Sequence, residues 1–303
     1  MSSDAISALA LEFGIRDHVD FMAGSAGLPQ LRLTNAYGGA RIALQGAQVL
    51  SWAPFGQADL IWISPAARFS SGVSLRGGIP VCWPWFGPRK GATGLPAQGI
   101  ARKELWGIVA SGISDDGRVR VDFRLMPRRS GNSVWSFATP VHYRVTLGKA
   151  LELELLTRNE STETVTIGVA LHTYWAVADV RDVRILGLEG CTYIDKLDGD
   201  VRKRQQGAVT ISAETDRIYF DDGAACEIED PGHARRIRIS KRGSGTTVVW
   251  NPWVEKAARL GDMGKDGHLR MVCVETADAA DDVVTIAPGG GHLLQVRYQV
   301  EPL

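Results

Sequence analysis

Apolar and polar residues change places at almost every step over long stretches of this chain. Val119, Val121, Phe123 and Leu125 alternate with Arg118, Arg120, Asp122 and Arg124. Val141, Tyr143, Val145 and Leu147 alternate with His142, Arg144 and Thr146, and Leu151, Leu153 and Leu155 with Glu152 and Glu154. A period of two puts all the apolar side chains of a strand on one face, whereas a helix would scatter them. Gly148 and Lys149 turn the second run into the third, which predicts a β-hairpin. Val165, Ile167, Val169 and Leu171 repeat the pattern, as do Ile237 and Ile239, then Leu294, Val296, Tyr298 and Val300. Many strands separated by turns predict an all-β sandwich or barrel of antiparallel sheets with few short helices.

Helical periodicity is scarce. The best candidate has Asn251 as N-cap, Pro252 at the first helical position, Trp253 to Leu260 as the body and Gly261 as the stop. Gly289, Gly290 and Gly291 follow Pro288 and precede the last strand, which reads as a hairpin turn. A phosphate-cradling loop would need a helix after it. With no linker and no internal repeat, residues 1–303 are expected to form one domain. At 303 residues and 45% hydrophobic content, the chain can bury a large core.

Charge and targeting signals narrow the function. Lys+Arg and Asp+Glu both number 34, so nothing favours nucleic acid or a membrane surface, and an anionic ligand must be held by locally placed cations. Met1 to Phe13 carries Asp4 and Glu12 without a basic start, unlike a signal peptide, and no run approaches a membrane span of about 20 apolar residues. Cys82, Cys191, Cys226 and Cys273 are far apart, without a CxxC pair, as expected of reduced thiols in a cytoplasm. The histidines show no HxH or HExxH spacing, so no metal is expected, and no GxSxG nucleophile elbow is present.

Several residues could carry chemistry. His172 ends a row of small and polar residues, Thr164, Thr166, Gly168 and Ala170, that suits either the floor of a cleft or a solvated strand end. Glu275 ends the apolar row of Met271 and Cys273, so it is either a buried ion-pair member or a functional carboxyl. The segment from Arg76 to Pro88 (RGGIPVCWPWFGP) is too rich in Gly and Pro for a helix or an inner strand. It is either a packed core-crossing loop or an aromatic surface for a sugar ring with an arginine at its edge. Arg102 follows in QGIAR, and Glu214-Thr215-Asp216-Arg217-Ile218-Tyr219 offers a carboxylate beside an arginine, which reads as a surface pair.

RGGIPVCWPWFGP at 76–88, QGIAR at 98–102, LHTYW at 171–175, TDRIY at 215–219, VVWNPW at 248–253, DMG at 262–264 and VCVE at 272–275 stand in the order found in one family. Together they resemble the glucose-6-phosphate 1-epimerases, or hexose-6-phosphate mutarotases, of the aldose 1-epimerase superfamily. The resemblance implies a galactose-mutarotase-like β-supersandwich and an isomerase that interconverts the anomers of a hexose 6-phosphate, without cofactor or metal. It implies His172 as general acid and Glu275 as general base, Arg76 and Arg102 as phosphate or ring-hydroxyl contacts, and Asp216 as a hydroxyl acceptor. Where the family carries Gln-His-Gly, this chain has Ala97, Gln98 and Gly99, so Gln98 takes the histidine's place as a sugar contact that cannot carry charge. A monomer is expected. The alternatives are an aldose 1-epimerase acting on unphosphorylated sugars and a non-catalytic sugar-binding protein of the same fold.

Overall fold

The computed structural model describes residues 3–89, 94–127 and 134–303. Its named strands pair antiparallel throughout, in two eight-stranded sheets, one of four strands and one of two. The predicted alternation is present as burial. Val119–Leu125, Val141–Leu147 and Leu151–Arg158 bury every second residue, and Leu147 lies opposite Leu151 across the expected hairpin.

One large sheet carries these strands with Gly291–Pro302, Arg235–Arg242, Cys226–Asp230, Arg184–Leu186 and the edge strand Gly107–Ile113. The other runs from Val201–Arg204 through Thr192–Asp195, Thr215–Phe220, Thr246–Asn251, Met271–Asp278 and Val169–Leu171 to a two-residue edge, Val81–Cys82. Tyr174–Ala176 also pairs with Met271–Asp278. The sheets meet face to face. Trp175 of the second packs edge-on against Tyr298 of the first at 4.8 Å, and the Thr173 hydroxyl lies 2.7 Å from the Tyr298 hydroxyl. Val169, Leu171, Val249, Val272 and Val274 point into this core. By strand alternation, Ala170, His172, Glu275, Val248 and Asp216 point the other way.

A fully buried ion pair ties the two sheets at one end. Lys241 Nζ lies 2.8 Å from Asp221 Oδ1 and donates to the Thr246 carbonyl and the Thr247 hydroxyl. The Thr247 hydroxyl in turn donates to Asp221 Oδ2, so both charges are satisfied.

One helix escapes the sequence pattern, and two expectations need correction. Ser3–Phe13 is a helix. Ile6, Leu9 and Phe13 recur at helical spacing, and Leu9 and Phe13 pack on the core, a narrow stripe that is easily lost in a short segment. The second helix is Trp253–Leu260 with Pro252 at the N-cap, one residue later than expected. Asn251 ends the preceding strand, and its Oδ1 accepts a hydrogen bond from the Trp253 N–H. Gly261 does stop this helix in a left-handed conformation. Gly289–Gly291 is a turn but not a hairpin: the strand before it, Val284–Ile286, pairs with Val165–Ile167 in the two-stranded sheet. The strand after it joins a large sheet. All four cysteines are unpaired, and among the described residues no helix is long and apolar enough to cross a membrane.

Candidate active site

Strand register brings His172 and Glu275 together. Leu171 pairs with Thr276 and Tyr174 with Cys273, so His172, between two short strands, stands beside Glu275 on the face turned from the core. Its backbone is held by the RGGIP segment: the His172 N–H donates to the Pro80 carbonyl and the Tyr174 N–H to the Gly78 carbonyl. Gly77 lets the same segment pack closely on Trp62 and Ile63. Its φ is +107°, and a Cβ there would sit 2.4 Å from the Trp62 carbonyl oxygen. Of the segment's aromatics, Trp83 and Trp85 are core residues, and Phe86 faces His172 at 6.5 Å.

His172 Nδ1 lies 3.1 Å from Glu275 Oε1. The approach is not along a ring N–H, so His172 Nδ1, like the buried Glu275 Oε2, makes no hydrogen bond. Both side chains are buried, His172 at 8% exposure and Glu275 at 1%. Burial pushes the imidazole well below its ordinary range, and Arg102 and Arg76 push it further down. Burial holds the Glu275 carboxyl well above its ordinary range; Asp216 adds to this and Arg102 opposes it. The pair therefore does not simply hold itself as imidazolium and carboxylate, because desolvation works against both charges.

Of the remaining expected residues, Arg76, Arg102 and Asp216 act electrostatically on this pair. Arg76 donates from Nε to Asp262 Oδ1 and from Nη1 to the Tyr174 hydroxyl, each at 3.0 Å. Arg102 donates from Nη2 to the Ala97 carbonyl, and its buried Nε has no partner. Asp216 lies 3.7 Å from Lys256 Nζ, and burial raises its carboxyl. Gln98 has φ +68° and its Oε1 accepts from the Gly87 N–H, so this amide joins two loops. The expected surface pair does not form: Glu214 and Asp216 both approach Lys256, at 2.9 and 3.7 Å, and the Arg217 guanidinium stacks over Tyr193.

The sequence reading missed several residues of the site. Tyr174 stacks on His172 with ring centroids 4.7 Å apart, and Trp250 meets both rings edge-on. The alternation offered a signal for Tyr174, two residues after His172 on the same face. Asp262 opens the DMG motif of the resemblance, but nothing in the linear spacing tied it to Arg76, which it meets across 186 residues of sequence. The Cys273 thiol lies with the His172 and Glu275 ligand atoms in a group within 4.8 Å, a cluster that linear spacing could not reveal.

The family model described as aldose 1-epimerase matches residues 29–299. The chain belongs to the aldose 1-epimerase family. A relative from Escherichia coli K12, provisionally named glucose-6-phosphate 1-epimerase, is 37% identical over 84% of this chain and 85% of its own length. One from Cenchrus ciliaris with the same provisional name is 33% identical over 82% of this chain and 78% of its own. The crystal structure of a provisionally named mutarotase from Salmonella typhimurium superposes with a TM-score of 0.88 at 30% identity, covering 96% of each chain. The fold expected from the resemblance, a mutarotase-like arrangement of antiparallel sheets, is the fold observed.

Proposed function

We propose that this aldose 1-epimerase family member is an isomerase that interconverts the α and β anomers of a hexose 6-phosphate, glucose 6-phosphate first among them. The observation that carries the reading is the imidazole and carboxyl of His172 and Glu275, 3.1 Å apart on the sheet face turned from the core, with Arg102 and Arg76 near enough to depress the imidazole.

Opening a hemiacetal requires that the anomeric hydroxyl lose a proton, that the bond from C1 to the ring oxygen break, and that the ring oxygen gain a proton. Glu275 as carboxylate takes the first proton and His172 as imidazolium gives the second. C1–C2 rotation and closure on the other face return both protons. A positioned acid or base contributes roughly 10²–10⁴ in rate. The pair needs one proton in total, held as carboxylate with imidazolium or as carboxylic acid with imidazole.

Substrate helps choose between those forms. Arg102 and Arg76 depress the imidazole pKa. A phosphate dianion held by them offsets their charge, and sugar hydroxyls donating to Glu275 favour its carboxylate. Gln98 through its NH₂ and Asp216 through its carboxyl are the proposed hydroxyl contacts.

The second reading, an unphosphorylated aldose, is favoured by the ion pair between Arg76 and Asp262, which already balances one arginine. Two-dimensional NMR exchange on equilibrated glucose 6-phosphate and glucose tests both. The proposal expects anomer exchange well above buffer for the phosphate ester and a smaller effect for glucose; no acceleration of either ends it.

A further inference from the structure

His172, Cys273 and Glu275 each bring one ligand atom into a group no wider than 4.8 Å. The trio comes from adjacent strands. Cys273 and Glu275 are two residues apart on one face, and Cys273 is paired with Tyr174, two residues beyond His172. All three are more than nine-tenths buried. Two of their polar atoms, His172 Nδ1 and Glu275 Oε2, have no hydrogen-bond partner. Buried polar atoms are almost always satisfied, so two orphans in one cluster mark a place built to hold something.

We propose that these three side chains form a site for a thiophilic divalent metal ion of the Zn²⁺ class, which competes with a sugar for His172 and Glu275. One imidazole nitrogen, one thiolate and one carboxylate oxygen are a donor set suited to Zn²⁺. Three protein ligands leave its fourth position for water. Mg²⁺ and Ca²⁺, which take oxygen ligands, do not match a thiolate and an imidazole. Charge favours the assembly: a divalent ion with one thiolate, one carboxylate and a neutral imidazole has no net charge. It therefore avoids the cost of an isolated buried ion. Without metal, burial keeps Cys273 as a thiol, so binding forms the metal–sulfur bond and releases the thiol proton to solvent. The proton on Glu275, where present, leaves in the same way. With His172 and Glu275 both engaged by the ion, neither can serve a sugar. The metal site rests on the geometry of the trio, whereas its competition with a sugar rests on the proposed isomerase activity.

Co²⁺ added to the chelator-treated full-length chain tests this by absorption spectroscopy. The expected result is one Co²⁺ per chain, a thiolate-to-cobalt charge-transfer band, tetrahedral bands in the visible, and displacement of all of them by Zn²⁺. Cys273→Ala should abolish the charge-transfer band and weaken Zn²⁺ binding at least about 10-fold, since loss of even an outer-shell partner costs that much. Should Cys273→Ala fail to fold, Glu275→Gln provides the same test, with Zn²⁺ binding again weakened at least about 10-fold. Cys82→Ala and Cys191→Ser should keep the band. Absence of a thiolate band, its survival in Cys273→Ala, or its loss in Cys191→Ser would each overturn the site. A chain that binds Zn²⁺ but does not exchange anomers would refute the isomerase reading alone, and an active chain that does not bind would refute the metal site alone.

Discussion

The Tyr174 ring lies on the His172 imidazole at 4.7 Å with only 14° between their planes, while its hydroxyl accepts a hydrogen bond from Arg76 Nη1. One side chain thus fixes both the plane of the proposed acid and the direction of a proposed phosphate ligand. Tyr174→Phe keeps the stack and removes the acceptor. A hydrogen bond to a charged group is worth about 1.5–3 kcal/mol. The expected outcome is a KM for glucose 6-phosphate raised about 10-fold with kcat little changed, read by steady-state anomerisation assays.

Glu275→Gln should be both inactive and more stable. Loss of the carboxylate removes the base and lowers kcat by roughly 10²–10⁴. Stability moves the other way for a stated reason. The carboxyl is held above its ordinary value of 4.5, chiefly by burial. Below that pH both folded and unfolded chains carry the proton. Above it the unfolded chain releases the proton while the folded chain retains it, so stability is lost as pH rises, up to the folded pKa. Thermal melts across pH should show the variant's advantage opening from about pH 4.5 upward and then levelling. A wild-type chain more stable than the variant at neutral pH would contradict the assignment.

The arginines should be visible in the titration of His172. Burial is the largest cause of its depressed pKa, with Arg102 and Arg76 next. Arg102→Gln, and separately saturation of the wild type with glucose 6-phosphate, should each raise the midpoint by about one pH unit. Glucose should raise it less. ¹⁵N-detected imidazole NMR gives the measurement, and equal shifts for the two sugars would place the phosphate away from the arginines.

The Lys241–Asp221 pair should matter for folding and not for chemistry. Lys241→Met leaves Asp221 charged, buried and unpaired, which costs about 3–5 kcal/mol. The double variant Lys241→Met with Asp221→Leu should recover most of that loss in urea unfolding.

Alternation in the linear chain was enough to determine the strands, the hairpin at Gly148 and the β class, because side-chain direction in a strand depends only on parity along the backbone. The same parity placed His172 and Glu275 at the ends of unusual rows. The first helix stayed hidden because its stripe of Ile6, Leu9 and Phe13 gains meaning only when the core it covers is known. Tertiary structure alone decided the site. Strand register, set by pairings between segments about 100 residues apart, stands the imidazole beside the carboxyl. Burial on that face then works against the charged form of both, an effect of desolvation that no local pattern of residues contains.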